Sequence, residues 1–357
     1  MFTARRILSF CIVLIAATIC FAPPVHGQKS KELKDSDKPG PLCPSKHSSY
    51  AAIDKHALQA PKDVEASVAS LTAYLIRPAK TDAEKARAIF RWLTDRVVYD
   101  MPAFLANKLG GATAQKTLAT RQATCEGYGR LFKAMCDEAK LEAAFIPGYV
   151  RSDTSKPDDP LKTNHGWNAV KLDGRWYLVD ATWGAGNVSP ETRKWEKRFR
   201  EFFFLTPPEL LIFSHYPEAP AHQLLKEPIS AKSFRQRLQV PNELVLYGAA
   251  VKDIQAALDA KDFRGFVTIS WDPNAPLKIV EAPLPKSLKR GDTYRFRFEA
   301  SGCSAMGLVN NGPGQPLKRM GQEFVGTVTA SAGKLQIGAQ FTSKGATYWT
   351  FLQYDVE

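Results

Sequence analysis

A cysteine at a predicted helix start is the first group in this sequence that could do chemistry. Cys125 lies in the segment ATCEGYGRLFKAMC, and the apolar residues after it recur at the spacing of one helix face: Tyr128, Leu131, Phe132, Met135 and Cys136. The spacing predicts a helix that begins at Cys125. Unpaired backbone N–H groups and the dipole at a helix N-terminus favour the thiolate, the nucleophilic form of cysteine. The alternative interpretation is a buried structural cysteine.

A predicted β-hairpin carries a second group of reactive side chains. Asp173-Gly174 separates two apolar runs and is a strong signal for a two-residue turn, which pairs Leu172 with Arg175. The same register continued would set His165 and Asp180 on one face of the hairpin, as diagonal neighbours about 7–8 Å apart.

The full register places His165 opposite Thr182 and Trp167 opposite Asp180. A carboxylate that orients an imidazole gives the base that a thiol nucleophile needs. Singly, His165 could be a surface histidine and Asp180 a cap at the end of a strand. Together with Cys125 they predict nucleophilic catalysis, although the hairpin register does not show that Cys125 reaches His165.

The other cysteines have simpler interpretations. Cys136 belongs to the apolar helix face and is interpreted as core. Cys11 and Cys20 lie in the predicted export signal, so the exported chain would keep four cysteines: Cys125, Cys136, Cys43 and Cys303. Four cysteines allow two disulfides in any of three pairings. The chain has no CxxC and no histidine-rich metal spacing. We therefore expect no metal and no cofactor.

The N-terminus predicts export. Residues 1–27 contain Arg5 and Arg6, a nearly unbroken apolar run at 7–22 and small residues before position 28, the pattern of a cleaved signal peptide. We expect a secreted or periplasmic protein of the cell envelope, with no integral membrane span after cleavage. Residues 28–60 begin with a charged, Pro-rich stretch and are predicted to be a linker.

Composition excludes several classes of protein. Of 357 residues, 44% are hydrophobic and 24% charged, as in folded globular chains, which excludes a wholly disordered or collagen-like protein. The net charge of +12 could favour anionic partners. A basic, aromatic segment at 193–200 could bind nucleic acid or anionic lipid, but we interpret it as a solvated helix face and favour no nucleic-acid partner.

The remaining patterns predict an α+β protein. Apolar residues at helical spacing precede Pro78, and Thr81 with Glu84 forms a capping-box pattern for a second helix. Strand patterns follow from residue 144, and short strand-like runs separated by Gly, Pro and Asn fill residues 240–357, the spacing of a small β-sandwich.

Three segments resemble the transglutaminase-like superfamily, in particular its kyphoscoliosis-peptidase and cytokinesis-protein-3 branch: TCEGYGRLFKAMC, NHGWNAVKLDGRWYLVDATWGAG and FFFLTPPELLIFSHYPEAPAHQLL. They occur in the family's order and cover about residues 62–226. The resemblance implies a papain-like core of helices packed on an antiparallel sheet at 61–235, followed by an immunoglobulin-like sandwich at 240–357. Ala221 departs from the branch, which tends to have a large aromatic residue before QLL.

The resemblance also implies a reaction. The family's Cys–His–Asp triad falls on Cys125, His165 and Asp180, and supports acyl transfer from protein or peptide amides through a thioester. Water as acceptor gives a protease or amidase, and a lysine amine gives a transglutaminase. The alternative is a non-catalytic scaffold that binds protein or cell-envelope polymer. His215 and His222 lie in the branch motif without acidic neighbours in sequence, and we interpret both as structural.

Overall fold

A computed structural model describes most of the chain beyond the N-terminus: residues 50–108, 110–151, 160–189, 192, 194–236, 240–241, 244, 247–270, 277–341 and 348–357. The predicted signal peptide, residues 28–49 of the predicted linker, Cys43 and Arg193 lie outside the described residues. In the described part of the chain, no helix combines the length and the apolar character needed to cross a bilayer.

Helices dominate the first part of the described chain: α1 (Ala51–Leu58), α2 (Val68–Leu75), α3 (Asp82–Arg96), α4 (Met101–Leu105), α5 (Ala114–Thr120) and α6 (Cys125–Glu138). Helix α1 falls inside the range predicted as linker, yet Ile53 and Ala57 are buried in the same core as α3. The folded region therefore begins before residue 61, and the linker boundary was placed too late.

Helix α3 shows the predicted capping box. The Glu84 N–H donates to Thr81 Oγ1 at 3.2 Å, and the Thr81 N–H donates to Glu84 Oε2 at 3.1 Å. These reciprocal bonds satisfy two backbone donors that a helix start leaves unpaired. They fix the start of the helix that carries the buried Phe90 and Trp92.

An antiparallel sheet lies beside these helices, with the order β5 (Arg175–Val179), β4 (His165–Leu172), β3 (Ala143–Val150) and β8 (His215–Pro217). Leu172 pairs with Arg175 as predicted. Asp173 and Gly174 both have positive φ, 49° and 78°. Positive φ at both central residues is what a type I′ turn requires.

The hairpin register ends earlier than predicted. The pairing stops at Asn168 and Val179, so Thr182 is not opposite His165, which pairs instead with Gly148 on β3. Asp180 leaves the strand as the N-cap of α7 (Ala181–Ala185). A short polar side chain that bonds the next backbone N–H groups offers the chain an alternative to the strand ladder.

Helix α6 packs against the sheet through a close contact at Gly129. A Cβ at this position would lie 2.5 Å from the ring of Phe145 on β3, and one at Gly166 on β4 would lie 2.3 Å from the same ring. The aromatic side chain therefore fills the space that the two glycines leave. Packing, and not a substrate, explains the glycine at 129.

The basic segment forms a strand and not the predicted helix. Two short strands, β6 (Gly186–Val188) and β7 (Trp195–Lys197), pair with each other. The Lys197 ammonium lies 3.7 Å from the Asp95 carboxylate, and Arg200 Nη2 donates to Asn187 Oδ1 at 2.7 Å. The Asp95 carboxylate therefore offsets one charge of the segment, and the Asn187 amide oxygen holds the Arg200 guanidinium.

The C-terminal part contains two sheets and one helix that the strand pattern missed, α10 (Val251–Asp259). Short helices α8 (Pro208–Leu211) and α9 (Ala231–Gln236) precede it. The first sheet has the order β10 (Leu277–Glu281), β12 (Thr293–Ala300), β16 (Glu323–Thr329), β15 (Lys318–Met320). The second has the order β11 (Ser287–Leu288), β18 (Trp349–Val356), β17 (Gly333–Phe341), β13 (Cys303–Asn310), β14 (Gln315–Pro316), with β9 (Thr268–Ile269) on β18.

The two C-terminal sheets share one core. Phe296 on the first sheet contacts Tyr354 on the second with ring centroids 5.9 Å apart, and Phe298 contacts Phe351 at 5.2 Å. All four rings are buried in a cluster separate from that of the N-terminal part. The described part of the chain therefore has two hydrophobic cores, in agreement with the two domains that the length predicts.

Candidate active site

Helix α6 begins at Cys125, the position that the apolar spacing predicts. A parallel pair of short strands, β1 (Val98–Tyr99) and β2 (Gln122–Ala123), holds the chain just before the helix. The first turns of the helix are also anchored by Tyr128, whose buried hydroxyl donates to the carbonyl of Val97, the residue before β1, at 2.6 Å. Cys125 is thus fixed at the end of a rigid element and is 7% exposed.

His165 brings the predicted site residues together. Its Nε2 lies 2.7 Å from Asp180 Oδ2, and Cys125 is near enough for its charge to help raise the pKa of His165. With Nε2 engaged by the carboxylate, Nδ1 is the nitrogen left for the sulfur. His165 is 8% exposed and Asp180 is 1% exposed. The thiol and imidazole therefore lie at the rim of the cluster and the carboxylate lies beneath them.

The Asp180 carboxylate is fully engaged. Its Oδ1 accepts the backbone N–H groups of Thr182 at 2.8 Å and Trp183 at 3.0 Å, and its Oδ2 faces His165. It therefore both caps α7 and bonds His165, so capping and contact with the imidazole occur together in one side chain. A buried carboxylate with this many donors is stabilised in its charged form.

The charges in the cluster act against burial. Burial disfavours the His165 imidazolium, but the charges of Asp180 and Cys125 and the hydrogen bonds to both raise the pKa of His165 to about 10. Burial would raise the pKa of Asp180, but the charge of His165 and hydrogen bonds from both histidines hold it far below its usual range. At neutral pH, His165 is therefore protonated beside an ionised Asp180.

His215 belongs to the cluster, which corrects its interpretation as a structural residue outside the site. Its Nε2 lies 3.0 Å from the same Asp180 oxygen that faces His165, and it is 1% exposed. It reaches the site because β8 joins the sheet beside β3, a pairing between residues more than 60 positions apart. The only sequence signal was its place in the third family segment.

Aromatic side chains enclose the two imidazoles. The Trp167 ring is stacked near His165, with centroids 6.1 Å apart, and meets His215 edge-on at 5.0 Å. Trp183 lies 4.7 Å from the His215 ring and 5.8 Å from the His165 ring. Trp167 is buried and Trp183 is partly exposed. Trp167 therefore fills the core, and Trp183 is the one that can line an approach to the site.

Other residues considered from the sequence lie outside the cluster. Cys136 is fully buried, and burial raises the pKa of its thiol. Cys303 is a free, buried thiol in the C-terminal part. The exposed Gln122, three residues before Cys125, directs its side-chain amide towards Asp100 at 3.4 Å. The His222 ring is buried in the short helix at 220–223.

His165, Asp180 and His215 also form the set of side chains that could be considered for a metal ion, because their candidate ligand atoms lie within 4.8 Å of one another. Ligand atoms of a tetrahedral zinc site, about 2.0–2.1 Å from the ion, stand about 3.3 Å apart. The nitrogens here lie 2.7 and 3.0 Å from one carboxylate oxygen, which are hydrogen-bond distances. We therefore describe a hydrogen-bonded network.

Comparison with known proteins identifies the domain that carries this cluster. Residues 69–181 match the family model described as the transglutaminase-like superfamily. Kyphoscoliosis peptidase of Mus musculus is 32% identical over 311 residues, which are 86% of this chain and 43% of that protein. Hillarin of Drosophila melanogaster is 29% identical over 57% of this chain and 26% of its own length.

Cytokinesis protein 3 of Schizosaccharomyces pombe is 29% identical over 188 residues, which are 51% of this chain and 20% of that protein. The chain thus spans less than half the length of each of these relatives. The likeness extends through the domain that holds Cys125, His165 and Asp180. The chain therefore carries a transglutaminase-like domain, and these relatives are of the kyphoscoliosis-peptidase and cytokinesis-protein-3 branch of that superfamily.

Proposed function

We propose that this protein is a thiol-dependent acyl-transfer enzyme that acts on amide groups of proteins or peptides. Cys125 is the nucleophile, His165 the acid–base group and Asp180 the group that orients it. One arrangement carries the proposal: His165 Nε2 lies 2.7 Å from Asp180 Oδ2, and Cys125 is near enough for its charge to help raise the pKa of His165. An imidazole between a carboxylate and a thiol is the arrangement that activates a nucleophile.

The reaction begins with the proton on His165 and the charge on sulfur. The Cys125 thiolate attacks the amide carbonyl carbon, and the backbone N–H at the start of α6 donates to the oxyanion, a bond worth about 2.7–4 kcal/mol in comparable sites. His165 then gives its proton to the amide nitrogen, the C–N bond breaks, and the amine leaves. The acyl group remains on sulfur as a thioester.

The thioester is released by a second nucleophile. Water gives up a proton to His165 as it attacks, the C–S bond breaks, and a carboxylic acid leaves with the thiolate restored. A lysine amine in place of water gives an isopeptide bond. We propose hydrolysis as the main outcome, since the Mus musculus relative, which matches 86% of this chain, is called a peptidase.

Alkylation by iodoacetamide tests the thiol directly, without a known substrate. Cys125 should react faster at neutral pH than an ordinary thiol, and His165→Ala should slow it by at least about tenfold, because the imidazolium that stabilises the thiolate is lost. Peptide mass spectrometry reads each cysteine separately. The fully buried Cys136 on the same helix is the internal control and should remain unmodified until the protein unfolds.

The same experiment decides against the rival function. The low exposure of Cys125 and His165 would also suit a scaffold whose cleft binds protein or cell-envelope polymer without turnover. In that case Cys125 reacts no faster than an ordinary thiol and His165→Ala changes nothing. Incubation of a mixture of peptide substrates with and without an added primary amine then distinguishes the two outcomes. Hydrolysis gives a carboxylic acid in both cases, whereas cross-linking gives a new amide only when the amine is present.

We further propose that residues 1–27 direct export and that the two-sheet C-terminal part is an immunoglobulin-like domain. The basic and apolar pattern of the N-terminus supports the first proposal. The shared core of two mainly antiparallel sheets supports the second. Sequencing the N-terminus of the protein from its own cell tests export, because a mature chain that begins before residue 28 contradicts this cleavage site.

A further inference from the structure

We infer that His215 is a positioning residue of this site: a neutral imidazole that donates its Nε2–H to Asp180 and so holds the carboxylate in the orientation that serves His165. The inference rests on the proposed function of Cys125 and His165. It concerns a residue that has no place in the Cys–His–Asp arrangement itself.

The geometry gives Asp180 Oδ2 two imidazole partners. His165 Nε2 lies at 2.7 Å and His215 Nε2 at 3.0 Å, and the two rings are 5.6 Å apart at an interplanar angle of 68°. The other oxygen is held by the backbone of α7. His215 is therefore the second side-chain partner of Oδ2, beside His165, and it bonds the oxygen that the backbone of α7 leaves free to bind the imidazoles.

The protonation of His215 follows from its surroundings. Because the Asp180 carboxylate only accepts, His215 Nε2, 3.0 Å away, carries a proton, and in a neutral ring Nδ1 is then an acceptor. The Ser214 hydroxyl can donate to Nδ1, since its Oγ lies 2.7 Å from Nδ1 and 3.4 Å from the Leu211 carbonyl oxygen. Burial and the charge of His165 lower the pKa of His215, although the bond to Asp180 opposes this. Two imidazolium ions on one carboxylate oxygen would repel each other, so one charged and one neutral ring is the stable combination.

The groups that face His215 leave it no direct part in the chemistry. Around its ring lie Asp180, His165, Trp167, Trp183 and Phe203, and it is 1% exposed. It meets the reacting sulfur only through Asp180 and His165. Its contribution is therefore the orientation and charge of Asp180, which in turn sets how strongly His165 holds its proton.

Two variants of similar size separate this role from packing. His215→Gln can place an amide N–H near the Nε2 position, whereas His215→Met fills the space without a donor. We expect His215→Met to slow the alkylation of Cys125 by iodoacetamide by about tenfold at neutral pH, as outer hydrogen-bond partners do elsewhere. His215→Gln should stay within about threefold of the unaltered protein, and Ser214→Ala, which frees the other tautomer, should fall between the two.

The comparison is made on the full chain, with the thermal unfolding midpoint of each variant. Equal rates for His215→Gln and His215→Met overturn the inference, whether both are slow or both normal. If His165→Ala itself leaves the rate unchanged, the proposed function fails first, and the two failures are thus distinguishable. On the unaltered protein, imidazole proton–nitrogen correlation spectra should show His215 neutral with its proton on Nε2. A doubly protonated ring or the opposite tautomer also overturns the inference.

Discussion

His165 Nε2 lies 2.7 Å from Asp180 Oδ2, although the strand pairing that was expected to align the two residues stops one residue before Asp180. Two independent elements meet instead. His165 is the first residue of β4, and Asp180 is the N-cap of α7. The carboxylate that ends the strand by capping the helix is therefore the one that orients the imidazole.

Asp180→Asn is expected to keep the cap and lose the base. The amide oxygen can still accept the N–H groups of Thr182 and Trp183. Its NH₂ group would face His165 Nε2 and favour the tautomer with the proton on Nδ1, which offers Cys125 a donor in place of a base. In a comparable triad this change costs about 10⁴ in rate, and we expect iodoacetamide alkylation of Cys125 at neutral pH to slow by at least about tenfold.

The hairpin turn supplies the matched control for that variant. Asp173→Asn makes the same chemical change at a position with φ of 49°, which asparagine tolerates. It should alkylate at the unaltered rate. Equal rates for the Asp180 and Asp173 variants would contradict the role of the carboxylate.

Stability should depend on pH with a definite sign. The pKa of His165 is raised from 6.5 to about 10 in the folded state, so its contribution is complete below 6.5 and is lost as pH rises towards 10. The pKa of Asp180 is lowered from 3.8, so its contribution is present above 3.8 and is lost on acidification. Urea unfolding should therefore give the largest free energy of unfolding between pH 3.8 and pH 6.5, where both contributions are complete.

His165→Gln isolates the alkaline part of that profile. The variant has no titrating ring, so its free energy of unfolding should fall less between pH 6.5 and 10 than that of the unaltered protein. Parallel curves for the two proteins would mean that His165 is not protonated in the folded state.

The Gly129–Phe145 contact predicts a packing defect next to the site. Gly129→Ala would place a Cβ 2.5 Å from the Phe145 ring, and such overpacking costs about 1–3 kcal/mol. Phe145→Leu should recover part of the loss in the double variant, which a double-mutant cycle measures. Strictly additive free energies would show that the ring does not press on the helix that carries Cys125.

The sequence predicted what depends on local pattern. The start of α6 at Cys125, the capping box at Thr81 and the turn at 173–174 each follow from residues close together in the chain. Positions that depend on distant contacts were missed. His215 enters the site only because β8 pairs with β3, and no pattern near His215 indicates that partner.

The errors have similar physical causes. Residues 195–197 of the basic segment form a strand because β6 supplies a partner, which the charge pattern of the segment does not reveal. Helix α1 was taken for linker because it is only eight residues long and directly follows the polar stretch, whereas its fold depends on packing in the same core as α3. An ion pair between Asp54 on α1 and Arg87 on α3 adds to this packing, and no local pattern could predict it.

Arg87 on α3 joins α1 to the segment that precedes α8, and this predicts a large cost for its removal. Its guanidinium bonds Asp54 at 2.6 Å and Glu201 at 2.5 Å, and its side chain is 3% exposed. Arg87→Met leaves two carboxylates in a poorly solvated place without their partner, which typically costs about 3–5 kcal/mol. Lys85→Met is the control on the same helix, because its pair with Asp82 is partly exposed and worth about 0–1 kcal/mol. Urea unfolding measures both, and similar losses would contradict the view that Arg87 fastens the N-terminal helix to the domain. Truncation at residue 61, which removes Asp54 with α1, should then destabilise the domain at least as much as Arg87→Met.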